Sequence, residues 1–471
     1  MLSENHRENV VLLREQLRCE ENFDLIERHL HVGGCDLCFF YIDGFVKDGE
    51  MQRVMQTLMS MKESGTAEYV AARLPYVEVD LASDLSDIIR GVLSGQSCVI
   101  GEMFGACAIL VDARTYPART TAEPDTDRVM QGARDGFVET LVMNTALIRR
   151  RIRDTRLTMR HFDLGGASHT DVVMCYMEGI ADEETVNTIA KKLTSLKPDT
   201  MTLGYQSLAE SLIKKGWLNP FPKIRLTERP DTASSQVLEG SILLICDTTP
   251  QVMILPTSIF AFIQQTDDFY FPPLTGTYLR LVRTIILLLS VVATPLWYLY
   301  IEYADMLPNF LRFLLPDEPG ALPIILQLLL VEVALDGLKI ASMNTPDMLS
   351  NSLSVVGALL LGDFAVQVGW LSADVILYMA FIAIANFAQQ NVELGYAFKF
   401  MRVLTLLFVF AFGIWGLLLG LLVFVFLVAT NTTVTGKRHY LYPLIPFNKQ
   451  AMLRLIFRFK KTENETEKVD S

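Results

Sequence analysis

The chain has 471 residues, which exceeds one ordinary domain, and it divides into a charged first part and an apolar second part. Its formal net charge of −12 argues against a general nucleic-acid binder, so no nucleic-acid partner is expected. The sequence has no Walker A, GxSxG or HExxH pattern, and we therefore predict neither enzyme activity nor a cofactor.

The N-terminal region is polar and has no apolar stretch like that of a signal peptide, which predicts a cytoplasmic first part. Cys35 and Cys38 form a CxxC pair near His29 and His31, which could suggest zinc. There is no second CxxC pair, and the segment reads as a strand, where residues three apart point to opposite faces. We therefore predict buried thiols and no metal site.

Two stretches of the charged part resemble each other. Asp36–Asp48 matches Asp171–Glu183 without a gap, and Val92–Gly95 later matches Val237–Gly240. In each copy an apolar strand turns at a glycine into an amphipathic helix, and a second helix precedes two more strands. The matches predict two similar α/β modules, each a small mixed sheet with helices.

The predicted modules cover residues 1–116 and 160–275, and residues 117–159 connect them. The connector begins as a proline-punctuated loop and continues as a helix from about Thr126 to Arg153. Cations suit the C-terminal end of a helix, but four in five positions exceed what a solvated end needs. We predict that these arginines hold modules or subunits together as an oligomer interface: Arg149, Arg150, Arg151 and Arg153.

From residue 276 the composition is typical of a lipid bilayer. Four apolar segments are long enough, or nearly so, to cross about 30 Å of hydrocarbon: Arg280–Tyr303, Leu353–Trp370, Ala373–Ala388 and Val403–Thr430. Basic residues at the start of the first segment and after the last predict that both termini are cytoplasmic. The fold class is therefore an α+β soluble half followed by an all-α polytopic membrane domain, residues 276–432, and a tail, 433–471, at the lipid surface.

Ala321–Met343 is apolar but carries charges on one helical face. Two arrangements are open. In the first, this segment is re-entrant and the four apolar segments span the membrane. In the second, Ala321–Met343 is a span and Val403–Thr430 is a hairpin broken at Gly413–Gly416.

Acidic residues in the membrane part indicate function, because a carboxylate at bilayer depth costs several kcal/mol unless it is paired or faces water. Rings of acidic side chains are typical of cation channels. We predict that five polar side chains line an ion path: Asp363, Glu332, Asp336, Glu393 and Gln367. The competing interpretation pairs Glu332 or Asp336 with Lys339 of the same segment.

Several motifs resemble the spore germination A-subunit family, the GerA type. They are Glu123–Arg128, Gly132–Thr140, Asn144–Arg151, Arg229–Asp231, Leu238–Gly240, Asp267–Phe271 and Gly357–Gly369. Tyr76–Val79 and the Glu123–Arg128 run are most similar to the stage V sporulation protein AF branch of that family. The resemblance extends over nearly the whole chain.

The resemblance implies a multi-pass protein of the spore inner membrane that acts in germination, with release of monovalent cations and then dipicolinate. It implies a homo-oligomeric ring around a pore, with other germination proteins of that membrane as partners. The first functional hypothesis is accordingly an oligomeric cation channel. The alternative is a non-conducting sensor or scaffold subunit coupled to a separate transporter. A secondary transporter is disfavoured, because the membrane part shows no inverted repeat.

Overall fold

The computed structural model describes residues 1–61, 65–114, 132–196, 200–213, 219–306, 308–316, 320–344, 364–389, 391–436 and 439–457. The chain forms two compact units. The first is Met1–Lys215 with Ile224–Thr257, and the second is Gly216–Lys223 with Ser258–Ser471. The first unit contains all the described strands, and the second is helical.

The first unit contains two modules of helices around one sheet. Module 1 comprises α1 (His6–Leu17), β1 (Leu25–Val32), β2 (Cys35–Ile42), α2 (Asp48–Ser60), α3 (Ala67–Ala71), β3 (Val79–Ala82), α4 (Leu85–Leu93), β4 (Ser97–Gly101) and β5 (Ala108–Val111). Module 2 comprises α5 (Leu141–Arg151), β6 (Leu157–Leu164), β7 (Thr170–Met177), α6 (Glu183–Ser195), α7 (Tyr205–Leu212), β8 (Arg225–Thr227), α8 (Pro230–Leu238), β9 (Ile242–Cys246) and β10 (Val252–Leu255).

The two sheets have the same topology. Their strand orders are β1-β2-β4-β5-β3 and β6-β7-β9-β10-β8, so corresponding strands occupy corresponding places. The prediction of two similar α/β modules is confirmed. The sheets are antiparallel at every described pairing, not mixed as predicted. The third strand of each module, β3 or β8, lies at the far edge of its sheet. The chain then returns to the middle of the sheet, where the fourth strand, β4 or β9, runs antiparallel to the second.

Both faces of each sheet are covered by helices, which explains the continuous apolar runs of the central strands. In β2, Cys38, Phe40 and Ile42 pack in the cluster that contains α1 and α4, whereas Leu37 and Phe39 pack in the cluster that contains α2. Successive side chains alternate between the faces of a strand. Cys35 and Cys38 consequently lie on opposite faces, as the sequence predicts.

The Arg-rich helix is shorter than predicted and has a different place in the fold. It is α5, which begins at Leu141, and residues 132–140 are not helical. The Asn144 side chain accepts from the Val138 amide at 2.8 Å and donates to the Val138 carbonyl, which fixes the segment ahead of the helix. Since α5 precedes β6 as α1 precedes β1, it is the first element of module 2 rather than a separate connector.

The second unit is all-α in the described residues. Its helices are α9 (Ile259–Ile263), α10 (Asp267–Tyr270), α11 (Pro273–Glu302), α12 (Ile324–Met343), α13 (Ala365–Gln367), α14 (Ala373–Phe387), α15 (Val392–Phe412), α16 (Ile414–Thr430) and α17 (Lys449–Ile456), with 3-10 turns at Ala304–Met306 and Asn309–Leu314. By length and composition, α11 and α15 could cross a membrane, and α14 and α16 are shorter apolar helices.

The predicted span Val403–Thr430 is a helical hairpin and not one helix. The break is at Gly413, whose φ of +57° belongs to the left-handed region that favours glycine. α16 packs closely on α15, since a Cβ at Gly420 would lie 2.6 Å from Thr405 Cγ2. Ala321–Met343 contains the continuous helix α12, so the helix breaks follow the second predicted arrangement. Most of the predicted span Leu353–Trp370 lies outside the described residues.

Candidate functional site

Four charged side chains form a cluster between two helices of the second unit, which we name the charge cluster. It consists of Glu332 and Asp336 on α12 and Lys399 and Arg402 on α15. Arg402 Nη2 donates to Glu332 Oε1 at 2.5 Å, and Lys399 Nζ lies 3.4 Å from the same oxygen. Lys399 also pairs with Asp336. The two acids are four residues apart on α12, and the two bases are three residues apart on α15. Each spacing puts both side chains on one face of its helix, and that face is turned toward the other helix.

The charge cluster is buried at one end and open at the other. Arg402, Glu332 and Lys399 are buried, while the Asp336 side chain retains 36% of its exposure. Removing one partner of a buried ion pair costs about 3–5 kcal/mol, because the other charge remains without compensation. Arg402, at the buried end, therefore depends strongly on Glu332.

Arg402 also connects the charge cluster to a third helix. Its Nη1 donates to the Ser290 carbonyl of α11 at 3.2 Å. Pro295 lies inside α11 and has no amide hydrogen, so the regular backbone bonding of that helix is interrupted nearby. The carbonyl that loses its helical donor is that of Val291, four residues before Pro295, and Arg402 donates to the carbonyl one residue earlier.

The partners of the acids differ from the competing sequence interpretation. Lys339 is not their partner in the structure, and its Nζ lies 4.8 Å from the ring centroid of Tyr396. The partners Lys399 and Arg402 come from another helix. Sequence reasoning did not identify these two bases as site residues. The available signal was the presence of two cations, three residues apart, in an otherwise apolar segment.

The other predicted path residues are not part of the charge cluster. Asp363 lies outside the described residues. Gln367 is exposed on α13. Glu393 is exposed in the first turn of α15, beside the N-cap Asn391, where a negative charge suits the helix dipole. Their role in an ion path stays a prediction.

A second ion-pair group lies at the start of α11. Asp268 is fully buried and binds both Arg280 and Arg283, at 3.3 and 3.1 Å. Arg280 Nη1 also donates to the carbonyls of Arg454 and Leu455 at the end of α17, which attaches the tail helix to α11. Cations suit the C-terminal carbonyls of a helix. From the sequence, these two arginines are predicted only to flank the first membrane segment.

The four arginines of the predicted interface have different environments. Arg149 is fully buried, and its Nε and Nη2 each donate to Asp24 at 2.9 Å while Nη1 donates to the Leu157 carbonyl. Arg149 of module 2 therefore binds module 1 within the same chain. Arg151 pairs with Asp135 at 2.6 Å. The remaining two, Arg150 and Arg153, are exposed.

A polar cleft of about 530 Å³ opens between the modules. Arg18, in the left-handed conformation after α1, pairs there with Glu21 of its own module and with Glu178 of module 2. The rings of Phe23 and His161 form another part of the lining, with centroids 5.7 Å apart. These contacts strengthen the junction that Arg149 forms.

Three possible metal ligands come together at β1 and β2, but they are not the CxxC pair. The ligand atoms of Glu27, His29 and Cys38 lie within 4.8 Å of one another. Arg14 Nε and Nη2 already occupy both Glu27 oxygens, at 2.7 and 2.6 Å. Burial raises the pKa of the Cys38 thiol above its usual range. Arg14, Glu27 and His29 form a hydrogen-bonded group, while the Cys38 thiol donates to the Phe39 carbonyl and is not part of it.

The model of the Bacillus/Clostridium GerA spore germination protein family matches residues 12–469. The chain belongs to this family. The resemblance predicted from the sequence is thereby confirmed, and it includes both units of the GerA-family chain.

Two curated relatives and one solved structure are similar to this chain. The chain is 35% identical to stage V sporulation protein AF of Bacillus subtilis (strain 168), over 97% of this chain and 93% of that protein. It is 27% identical to spore germination protein KA of the same organism, over 92% and 81%. The crystal structure of the N-terminal domain of the A subunit of the Bacillus megaterium spore germinant receptor GerK3 is 25% identical, covers 54% of this chain and 96% of that chain, and has a TM-score of 0.42.

Proposed function

We propose that this GerA-family chain is a membrane subunit of a spore germination complex and forms an oligomeric channel that contributes to cation release. Its relatives include germination and sporulation proteins, which supports a role in spore germination. The helices α11 and α15 support membrane insertion. We place it in the spore inner membrane with both termini in the cytoplasm, as a homo-oligomer beside other germination proteins.

The observation that carries the channel proposal is the position of Lys399 in the charge cluster. Its ammonium is a monovalent cation held by two carboxylates, Asp336 and Glu332. Asp336 is the open end of the cluster, where a cation from water could replace the ammonium. Arg402 remains bound to Glu332 and keeps the buried end neutral. Lys399 would then act as a tethered cation that leaves when the path opens.

Asp363, Glu393 and Gln367 are proposed as further positions on the same path. Asp363 has no basic residue in its own apolar segment. A water-filled path or a subunit interface would lower the free-energy cost of its carboxylate charge at bilayer depth. Rings of acidic side chains select cations because their field attracts positive ions and repels negative ones.

The test is cation flux through liposomes that contain the purified full-length protein. We expect K⁺ efflux with the wild-type chain and reduced or unselective efflux with Asp363→Asn or Asp336→Asn, which keep the shape and remove the charge. Asp374→Asn is the matched control, since Asp374 is a carboxylate of the same unit in the first turn of α14, outside the charge cluster. Unchanged flux in both variants would remove these carboxylates from the path.

The second candidate is a non-conducting sensor or scaffold subunit that acts on a separate transporter. The neutral net charge of the charge cluster favours this scaffold function. Two acids face two bases, so no negative charge remains to form a cation filter. Wild-type liposomes without any cation flux, together with correct insertion, would support this function and contradict the channel.

A further inference from the structure

The first helices of the two modules share individual side-chain hydrogen bonds. Asn144 of α5 bonds both backbone groups of Val138, six residues earlier, and Asn9 of α1 bonds both backbone groups of Ser3 in the same way. Five residues after each asparagine is an arginine with a two-pronged bond to a carboxylate, Arg149 in α5 and Arg14 in α1. α1 and α5 therefore correspond at the asparagine and arginine positions, although the carboxylate lies in the same module for Arg14 and in the other module for Arg149.

Within the chain, α5 also packs against module 1, on a surface that we name the receiving surface. Its centre is the turn at Gly44, where φ is +79° and a Cβ would lie 2.9 Å from Val142 Cγ1 and 3.3 Å from Ala146 Cβ. Ala146 and the buried Leu93 belong to the core cluster of module 1. Module 1 thus receives the first helix of the module that follows it.

Module 2 has an equivalent of this surface, and no helix among the described residues of the first unit packs on its central glycine as α5 packs on Gly44. Gly179 occupies the place of Gly44 and has a φ of +75°, but a Cβ there would have no atom within 4 Å among the described residues beyond its chain neighbours. Leu238, in the repeated Val-Leu-x-Gly motif, corresponds to Leu93. Leu93 is buried, whereas Leu238 is 50% exposed. An apolar position that is covered in one repeat is open in the other.

The outer face of α1 is the complementary open surface. Val11 is two residues after Asn9, as Ala146 is two residues after Asn144. Ala146 is buried against module 1, while Val11 is 47% exposed. The Arg14 side chain is 38% exposed, whereas the equivalent Arg149 is fully buried. Val11 and Leu238 are therefore both exposed, whereas their counterparts Ala146 and Leu93 are buried in the cluster where α5 meets module 1.

We propose that a second copy of this chain fills these surfaces head-to-tail, with α1 of one copy on the Gly179–Leu238 surface of the next. The contact would repeat the apolar packing of α5 on module 1. It would not repeat the pairing of Arg149 with Asp24, because Arg156 stands one residue before β6 where Asp24 stands one residue before β1. Asp154, three residues before β6 as Asn22 is three residues before β1, offers Arg14 a carboxylate and now binds Arg156. A head-to-tail interface uses two different surfaces, and it generates a ring when the rotation closes. The inference rests on the self-association in the proposed function and assigns its interface.

The experiment measures the mass of the full-length protein in detergent by light scattering after gel filtration. Val11→Arg and Leu238→Arg each place a charge at one of the two surfaces, and each variant alone should lose the oligomer. An equimolar mixture should form dimers and nothing larger, because each variant keeps one intact surface. Val77→Arg is the control, since Val77 is an exposed valine of module 1 at neither surface, and it should assemble as wild type.

A second measurement, disulfide cross-linking, tests the interface in the intact oligomer. The Val11→Cys/Leu238→Cys double variant should form disulfide-linked dimers and larger species on oxidation, and neither single variant should, which also controls for the native thiols. If the wild type assembles and both arginine variants keep its mass, the head-to-tail interface is wrong while self-association stands. A monomeric wild type would overturn both the interface and the oligomeric channel.

Discussion

Arg402 of α15 and Glu332 of α12 form an ion pair of 2.5 Å in which both side chains are buried. The two residues are 70 positions apart in the chain, and each would be a costly isolated charge in its own apolar helix. The pair holds α12 against α15, and Arg402 extends the contact to α11 through Ser290. This connection makes Glu332 primarily a stabilising residue, whereas Asp336 is more accessible to an ion.

Glu332→Gln should therefore lower the stability of the helical unit by about 3 kcal/mol, because the buried guanidinium loses its counter-charge. Asp336→Asn should cost less than about 1 kcal/mol, since its side chain is partly exposed. Thermal unfolding of the full-length protein in detergent provides the comparison. Adding Arg402→Met to Glu332→Gln should recover part of the loss. Equal melting temperatures for the two single variants would contradict this difference in burial.

Gly44→Ala and Gly179→Ala form a matched pair at equivalent turns. Both glycines have a positive φ, so alanine at either place should cost about 1–2 kcal/mol of backbone strain. Gly44→Ala should cost more, because its Cβ would collide with Val142 on α5 and push module 2 away. Unfolding of the first unit, followed in the full chain by urea denaturation, measures the difference. A Gly44→Ala variant as stable as Gly179→Ala would mean that α5 can move at little cost.

Arg149→Lys should destabilise the junction of the modules. Lysine has one compact ammonium and cannot reproduce the two-pronged bond to Asp24 together with the bond to the Leu157 carbonyl. We expect a loss of about 2–3 kcal/mol in urea unfolding, since a buried charged hydrogen bond is lost. Arg150→Lys, at the exposed neighbouring position, should change stability by less than about 0.5 kcal/mol. A similar small effect at both positions would contradict the junction.

The Arg14–Glu27 pair should make the stability of module 1 depend on acid pH. The hydrogen bond from Arg14 is the main reason that the pKa of Glu27 is lowered. A carboxylate with a lowered pKa contributes stability above its unfolded pKa, about 4.3, and this contribution is lost as the pH falls through the folded value. Urea unfolding at pH 6 and pH 3 should show a steeper loss for wild type than for Glu27→Gln. Parallel pH dependence would exclude this pair as a source of acid sensitivity.

Local patterns in the sequence are sufficient for the fold class. A period of two in the strands, glycines at the turns and matched segments such as Asp36–Asp48 and Asp171–Glu183 predict the two modules. The apolar composition after residue 276 predicts the helical unit in the same way. These features depend on neighbours within a few positions, which is the range over which side-chain periodicity acts.

Packing decides where helices end and which residues meet. Residues 132–140 are not helical, and Asn144 bonds back to both backbone groups of Val138 ahead of α5. The hairpin at Gly413 depends on close packing of α16 on α15, which apolar composition alone does not specify. The partners of Glu332 and Asp336 come from a helix more than sixty positions away, so no local spacing could indicate them. Electrostatic pairing in a low-dielectric interior acts across space, and only the tertiary structure brings those charges together.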